Sequence, residues 1–342
     1  MIKEAISMAV RRENISGASA EAVIDEMMRG EASHIHMSAF LAAMAAKGET
    51  VDEIAGAASA MRRHCVKLPC ETDVLEIVGT GGDRSNSFNI STTAAFVVSA
   101  AGIPVAKHGN RAASSKCGAA DVLEALGADI SLPPERSRQL LESIGLCFMF
   151  AQTYHAAMKH VAPVRKELGI RTLFNLLGPL SNPAAANMQL LGVYDAALVE
   201  PLARVLYKLG VKSAMVVYGQ DGLDEISLCA PTSVCELRGG EFSSYVIEPE
   251  DFGFRRCEKQ DLTGGDPAEN ASITRAILSG ERGPRRDTVV LNSAAAIHIA
   301  REGVSIEEAI KTAEKTIDSG MALRQLELFV KLSRGVKDSV LG

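Results

Sequence analysis

Three stretches of this chain gather residue types suited to holding a charged ligand. The first is Gly79-Thr80-Gly81-Gly82-Asp83, followed closely by Asn89-Ile90-Ser91-Thr92. Its glycines let the backbone approach a ligand and turn N–H groups toward it. A helix start just beyond adds unpaired N–H groups and the positive end of a dipole. Together these make a phosphate cradle, with Ser91 or Thr92 expected as the helix cap. The second stretch, Lys107-His108-Gly109-Asn110-Arg111-Ala112-Ala113-Ser114-Ser115-Lys116, offers cations, a flexible glycine and two hydroxyls. No Asp or Glu occurs from 84 to 120, although acids make up 42 of the 342 residues, so Arg84, Lys107, Arg111 and Lys116 lie in a run free of counter-charge. The third is Asp221-Gly222-Leu223-Asp224-Glu225. In a loop, adjacent carboxylates converge on one cation, and hard oxygen ligands favour Mg²⁺, which neutralises a polyphosphate while keeping its waters.

These stretches need elements to bring them together. Val74, Leu75, Ile77 and Val78 read as a strand feeding the first glycine loop, and Ala94 to Ala101 as the helix after it. Ile103 to Ala106 is a short buried strand that feeds the 107–116 loop. Strand-to-helix loops of one parallel sheet lie at the same carboxyl edge. Helices follow at Asp121 to Leu126 and Pro133 to Ser143, and a strand at Leu146 to Phe150. Leu190 to Tyr194, a helix over 196–208 and Ser213 to Tyr218 form a further βαβ unit; 233–238 and 241–247 form a hairpin about Gly239-Gly240. The tail from 267 to 334 is mostly helical.

Residues 1 to about 64 read as helices alone. Ser19 is expected to cap one ending at Gly30, Ser33 one ending at Gly48, and Thr50-Val51-Asp52-Glu53 is a capping box opening another. Met1, Met8, Met27, Met28, Met37, Met44 and Met61 fall here, as core filler or as a subunit face. Residues 65–73 are a linker. The fold class is therefore α/β: a small all-helical N-terminal domain, a hinge, and a larger α/β domain with a mostly parallel central sheet.

Other chemistries fit poorly. There is no H-E-x-x-H and no G-x-S-x-G, and the Gly79 loop has neither the Lys-Ser/Thr of a P-loop nor G-x-G-x-x-G spacing. Cys65 and Cys70 lack a second pair for zinc, and His34 and His36 do not share a helix face. A net charge of −6 argues against a general nucleic-acid binder. Seven scattered cysteines suit a reduced, cytoplasmic protein, and the N-terminus does not read as a signal peptide. The longest uncharged run, Thr172 to Tyr194, holds prolines, a glycine and asparagines and reads as loop rather than membrane span.

Taken with Val164-Arg165-Lys166-Glu167-Leu168-Gly169-Ile170-Arg171 and Asn175-Leu176-Leu177-Gly178-Pro179-Leu180, the three stretches resemble the anthranilate phosphoribosyltransferase family over essentially the whole chain. The resemblance implies a reaction of anthranilate with 5-phosphoribosyl 1-pyrophosphate (PRPP) that releases pyrophosphate, in tryptophan biosynthesis. It implies domains at 1–64 with about 165–185 returning, and at 74–164 with 186–342, and a homodimer joined through the helical domain. Carried onto this chain, Gly79, Gly82, Asp83, Ser87, Asn89, Ile90, Ser91, Thr92, Lys107, His108, Gly109, Asn110, Arg111, Ala112, Ala113, Ser114, Ser115 and Ala119 would hold PRPP. Gly79, Asn110 and Arg165 would meet anthranilate, and Ser91, Asp224 and Glu225 would hold Mg²⁺. Arg165 suits a carboxylate, which its guanidinium grips in bidentate fashion.

Some residues depart from the family pattern. Ser87 stands for a usual Thr, Arg84 for a common Gly, Ala119 for a usual Ser, Gln152 and Ala156 for usual prolines, and Tyr218 for a usual His. No acid or base is assigned with certainty; His108 is a candidate by position. The rivals are a pyrimidine nucleoside phosphorylase of related fold and a non-catalytic nucleic-acid-binding relative. Arg165 and the Asp224-Glu225 pair speak against the first, and the acidic net charge with the same pair speaks against the second.

Overall fold

Hydroxyl caps start three of the first four helices of the computed structural model, which describes residues 1–112 and 115–335. After α1 (Ile2–Val10) come α2 (Gly17–Met28), α3 (His34–Lys47) and α4 (Val51–His64). Ser33 caps α3, and Thr50 caps α4 through a capping box with Glu53, as expected. The cap of α2 is Ser16 rather than Ser19. Ser16 has the extended backbone a cap needs, and Ser19 is already in the first turn, donating its N–H to the Ser16 hydroxyl at 3.0 Å. Met27, Met28, Met37, Met44 and Met61 are buried among these helices, which is the core-filler role.

An extended crossing leads to β1 (Leu75–Gly79), α5 (Ile90–Ala100), β2 (Val105–Gly109), α6 (Ala119–Leu126), α7 (Pro134–Ile144), β3 (Leu146–Phe150), α8 (Ala151–Tyr154), α9 (Ala162–Leu168) and α10 (Phe174–Leu180). Then follow β4 (Met188–Gly192), α11 (Val199–Lys208), β5 (Ser213–Gly219), β6 (Thr232–Arg238) and β7 (Glu241–Ile247). The chain closes with α12 (Pro267–Leu278), α13 (Pro284–Ala300), α14 (Ile306–Asp318) and α15 (Met321–Ser333). Two expectations shift here. The run from Thr172 is not all loop: α10 forms within it and keeps Pro179, which falls in the last turn of a short helix. Lys107 and His108 belong to β2 rather than to a loop, because the ladder to β3 continues to Gly109.

The sheet order is β3-β2-β1-β4-β5-β6-β7; the first five strands are parallel, and β6 and β7 are antiparallel. One core packs α5, α13, α14 and α15 on one face of the sheet. The other joins α1 to α4 with α9, α10 and α11 and with Leu191, Val193 and Val216 of the opposite face. The helical N-terminal part therefore shares apolar side chains with the sheet, which explains why α9 and α10 lie against α3 and α4.

Candidate active site

Connections leave β1 toward β2 on one side and leave β4 toward β5 on the other. The chain order thus reverses between β1 and β4, where open α/β sheets form a crevice at the strand ends. Gly79 and Gly192 end these strands in register. Asp224 lies directly over both. A Cβ on Gly79 would stand 2.3 Å from Asp224 Oδ2, and one on Gly192 would stand 1.6 Å from the Asp224 carbonyl oxygen. These glycines are needed to admit the acidic loop as well as any ligand. Asp224 Oδ2 accepts the Gly81 N–H at 2.6 Å, and the Thr80 N–H donates to Gly192 O at 2.9 Å. Glu225 Oε1 accepts the Ser91 N–H at 3.2 Å, at the start of α5.

Neither Ser91 nor Thr92 caps that helix; Asn89 holds the cap position, with no side-chain cap bond. Its amide is engaged elsewhere, donating to Cys117 O at 3.2 Å and accepting from Asn270 at 2.9 Å. Ile90 and Thr92 are buried, and Ser91 Oγ accepts from Lys107 Nζ at 3.3 Å. Lys107 also donates to Ile77 O at 2.5 Å.

Burial raises the pKa of both carboxyls. Asp224 is pushed well up by desolvation and by the neighbouring charges of Asp83 and Glu225, while Glu225 is pushed up by burial and partly held down by Lys107 and Ser91. Lys107 is pushed the other way by burial, opposed by Glu76, Glu225 and Asp224. Crowded carboxyls beside a hydroxyl and a single ammonium are a donor set that a hard divalent cation fits. Among the described residues no three His, Cys, Asp or Glu side chains form a closed cage.

Asp83 Oδ2 is buried without a partner in this region. Asp83, Arg84, Ser85 and Ser87 line a cavity of about 160 Å³ with Asp221 and Lys259. Arg84, at φ 62°, holds a left-handed conformation that a glycine would adopt more easily. Ser87 accepts from the Ser85 hydroxyl at 3.2 Å and bridges to Thr263.

His108 turns away from this cluster. Alternation along β2 sends Lys107 toward α5 and His108 to the other face, where its ring lies 5.0 Å from that of His155. Burial and His155 depress its pKa to about 3, which makes its ring a weak base near neutral pH. Beneath it, Leu75 and Val105 are the one pair in register between β1 and β2. Side chains bridge the rest of that seam: Glu76 accepts the His108 N–H at 3.0 Å, and Asn182 donates to Glu76 and to Ala106 O. Glu76, Asn182 and His155 were missed from sequence. A lone acid inside an apolar strand is the signal that could have found Glu76.

The second loop is held from outside. Asp121 accepts the Ala112 and Gly118 N–H groups, each at 2.9 Å, and pairs with Arg111 at 3.0 Å; Glu124 also binds Arg111. The acid-free run thus acquires counter-charge from just past its end, and Arg111, exposed over the Phe150 ring, is committed to these partners. Asn110 accepts the Arg111 N–H, Gly109 has only 3.1 Å from a built Cβ to Ala119, and Ser115 donates to Cys117 O. Ala113 and Ser114 lie outside the described residues.

Arg165, on α9, is partly buried and its guanidinium lies 5.6 Å over the Phe174 ring. Burial lowers its pKa with no acid opposing it, leaving a cation suited to an incoming carboxylate.

Residues 3–65 match the glycosyl transferase family helical bundle domain, and residues 71–323 the glycosyl transferase family a/b domain. The chain is 62% identical over 333 residues, 97% of its length and 99% of the relative's, to anthranilate phosphoribosyltransferase of Lachnoclostridium phytofermentans. It belongs to the anthranilate phosphoribosyltransferase family. The Methanobrevibacter smithii member is 61% identical over 97% of this chain and 99% of its own. Among solved structures, the Thermus thermophilus enzyme superposes with a TM-score of 0.92 at 42% identity, covering 96% of this chain and 99% of that one. The Saccharomyces cerevisiae enzyme in complex with PRPP and Mg superposes at 0.89 and 30% identity, covering 98% of both chains. The two family segments meet across residues 66–70, in the extended crossing between α4 and β1.

Proposed function

We propose that this chain transfers the phosphoribosyl group of PRPP to the amine of anthranilate, releasing pyrophosphate, and serves tryptophan biosynthesis in the cytoplasm. The observation that carries the reading is the meeting of the Gly79–Asp83 loop, Ser91, Lys107, Asp224 and Glu225 at the strand-order reversal. Family membership supports reading that meeting as a pyrophosphate site. Ser91, Asp224 and Glu225 would hold Mg²⁺, which when bound would supply positive charge to neutralise the pyrophosphate.

The remaining work falls to the chain's own groups. The glycine loop and the α5 start receive the phosphates, with Asp83, Ser87, Asn89, Lys107 to Ala112, Ser115 and Ala119 around them, while the Thr80, Gly81 and Ser91 N–H groups stay with Gly192, Asp224 and Glu225. Lys107 places an ammonium beside the leaving group. Arg165, with Asn110 and the Gly79 backbone, orients anthranilate by its carboxylate. The aromatic amine attacks as ribosyl C1 gains oxocarbenium character, so rate comes from positioning and charge placement rather than from a strong base.

We also assign residues 165–185 to the helical domain and infer a homodimer through that domain. Val10 and Ile35, on α1 and α3, are 69% and 80% exposed, an apolar surface that a second copy would cover. Anthranilate fluorescence tests the reaction: it should fall only when PRPP and Mg²⁺ are both present. Folded protein that leaves the signal unchanged refutes the proposal. Phosphate-dependent cleavage of thymidine would instead support the phosphorylase reading.

A further inference from the structure

The glycine loop is held from two sides by groups of different origin. On the sheet side, Asp224 Oδ2 takes the Gly81 N–H at 2.6 Å. On the other side, Arg171 donates through Nη2 to the Gly82 carbonyl. Arg171 is itself positioned: its guanidinium lies 4.1 Å over the Tyr194 ring, just past the end of β4. Gly81 and Gly82 have φ of 70° and 75°, two consecutive left-handed residues with little steric cost to rearrangement. Arg84 and Asn86, at φ 62° and 53°, add strain immediately beyond. A loop of this kind needs an external hold if its N–H groups are to stay aimed at one place. The Arg171 contact supplies it, because a carbonyl fixed on one side of a peptide plane fixes the following N–H on the other.

Arg171 lies between α9, which carries Arg165, and α10, whose Phe174 lies under the Arg165 guanidinium. One short segment therefore contacts the glycine loop and also carries the cation assigned to anthranilate. We propose that Arg171 is a positioning residue: braced on Tyr194, it sets the Gly82 peptide for PRPP and links that loop to the anthranilate side of the site. The inference rests on the functional reading above. The planar guanidinium stacks and donates at once, which a lysine ammonium does not reproduce.

The test compares wild type with Arg171→Ala, Arg171→Lys, Tyr194→Phe and Tyr194→Ala. Arg171 is exposed, so its substitution should leave the melting temperature nearly unchanged. Arg171→Ala should raise the KM for PRPP about tenfold, equivalent to about 1.4 kcal/mol, with the KM for anthranilate moving less than about twofold. Arg171→Lys should recover little of this. Tyr194→Phe should behave as wild type, because only the ring face is used, and Tyr194→Ala should follow Arg171→Ala. Unchanged KM for PRPP in Arg171→Ala, or full recovery by Arg171→Lys, overturns the proposal. Hydrogen exchange of peptides spanning 79–87 separates this inference from the activity assignment. Faster exchange in Arg171→Ala supports the hold even if the substrates prove to be different, and unchanged exchange refutes it.

Discussion

Arg165 is partly buried and Asp224 is buried, and they respond to their surroundings in different ways. Arg165 has an aromatic ring beneath it, its pKa is lowered by burial, and we propose it for the anthranilate carboxylate. Arg165→Ala should raise the KM for anthranilate by about tenfold to a hundredfold, the worth of a charge-assisted pair of about 1.5–3 kcal/mol, with a much smaller change for PRPP. Steady-state kinetics with each substrate varied checks this; equal weakening of both contradicts the assigned role. Burial, with crowding by Asp83 and Glu225, pushes the Asp224 pKa well up, and a bound cation would favour its carboxylate form. Asp224→Asn should shift the Mg²⁺ titration of activity to higher concentration, and an unchanged titration removes Asp224 from the metal site. Both residues were legible in the sequence, because an adjacent acid pair and an arginine in a family motif are local signals. The steric reason for Gly79 and Gly192 was not. It depends on Asp224, which arrives from a distant loop.

At the level of elements, strands were the most legible feature, since apolar runs feeding glycine loops define them. β3 begins and ends where expected, and the β6–β7 hairpin turns at Gly239-Gly240. What failed was the assignment of side chains to faces. Reading 107–116 as one loop placed Lys107 and His108 together, whereas strand alternation separates them. The capping of α5 failed for a similar reason, since tertiary partners claim Asn89 and leave Glu225 to take the Ser91 N–H.

The seam between β1 and β2 has a consequence for pH. Burial depresses the pKa of His155 to about 4, and its ring hydrogen-bonds Ser181 O at 3.1 Å. The unfolded chain takes up a proton near the ordinary value of about 6.5, but the folded chain does not. Stability attributable to neutral His155 is therefore complete above that value and is lost as the pH falls toward the folded pKa. Urea unfolding at pH 7 and pH 5.5 should show wild type losing about 1 kcal/mol more than His155→Gln over that interval. Parallel losses in the two proteins would contradict a neutral buried ring.

For the whole molecule, the helical N-terminal part and the sheet are joined by a common apolar cluster, with α9 and α10 lying against α3 and α4. The division into a helical and an α/β part was visible in the change of periodicity near residue 74. The sharing of a core was not, because it depends on which sheet face α11 leaves to be covered. Ile35→Lys places a charge on the most exposed apolar position of that helical surface and should shift the sedimenting species from dimer toward monomer without lowering the melting temperature. A monomeric wild type, or a variant still dimeric, would remove this face from the assembly.

The central claim is that the two loops and the acid pair hold a phosphoribosyl donor for attack by anthranilate. Simultaneous measurement of pyrophosphate release and anthranilate consumption tests it most directly. With Mg²⁺ and PRPP present, one pyrophosphate should appear for each anthranilate consumed, and almost none without anthranilate. Pyrophosphate release that does not depend on anthranilate, or anthranilate left unconsumed by folded protein, would contradict it.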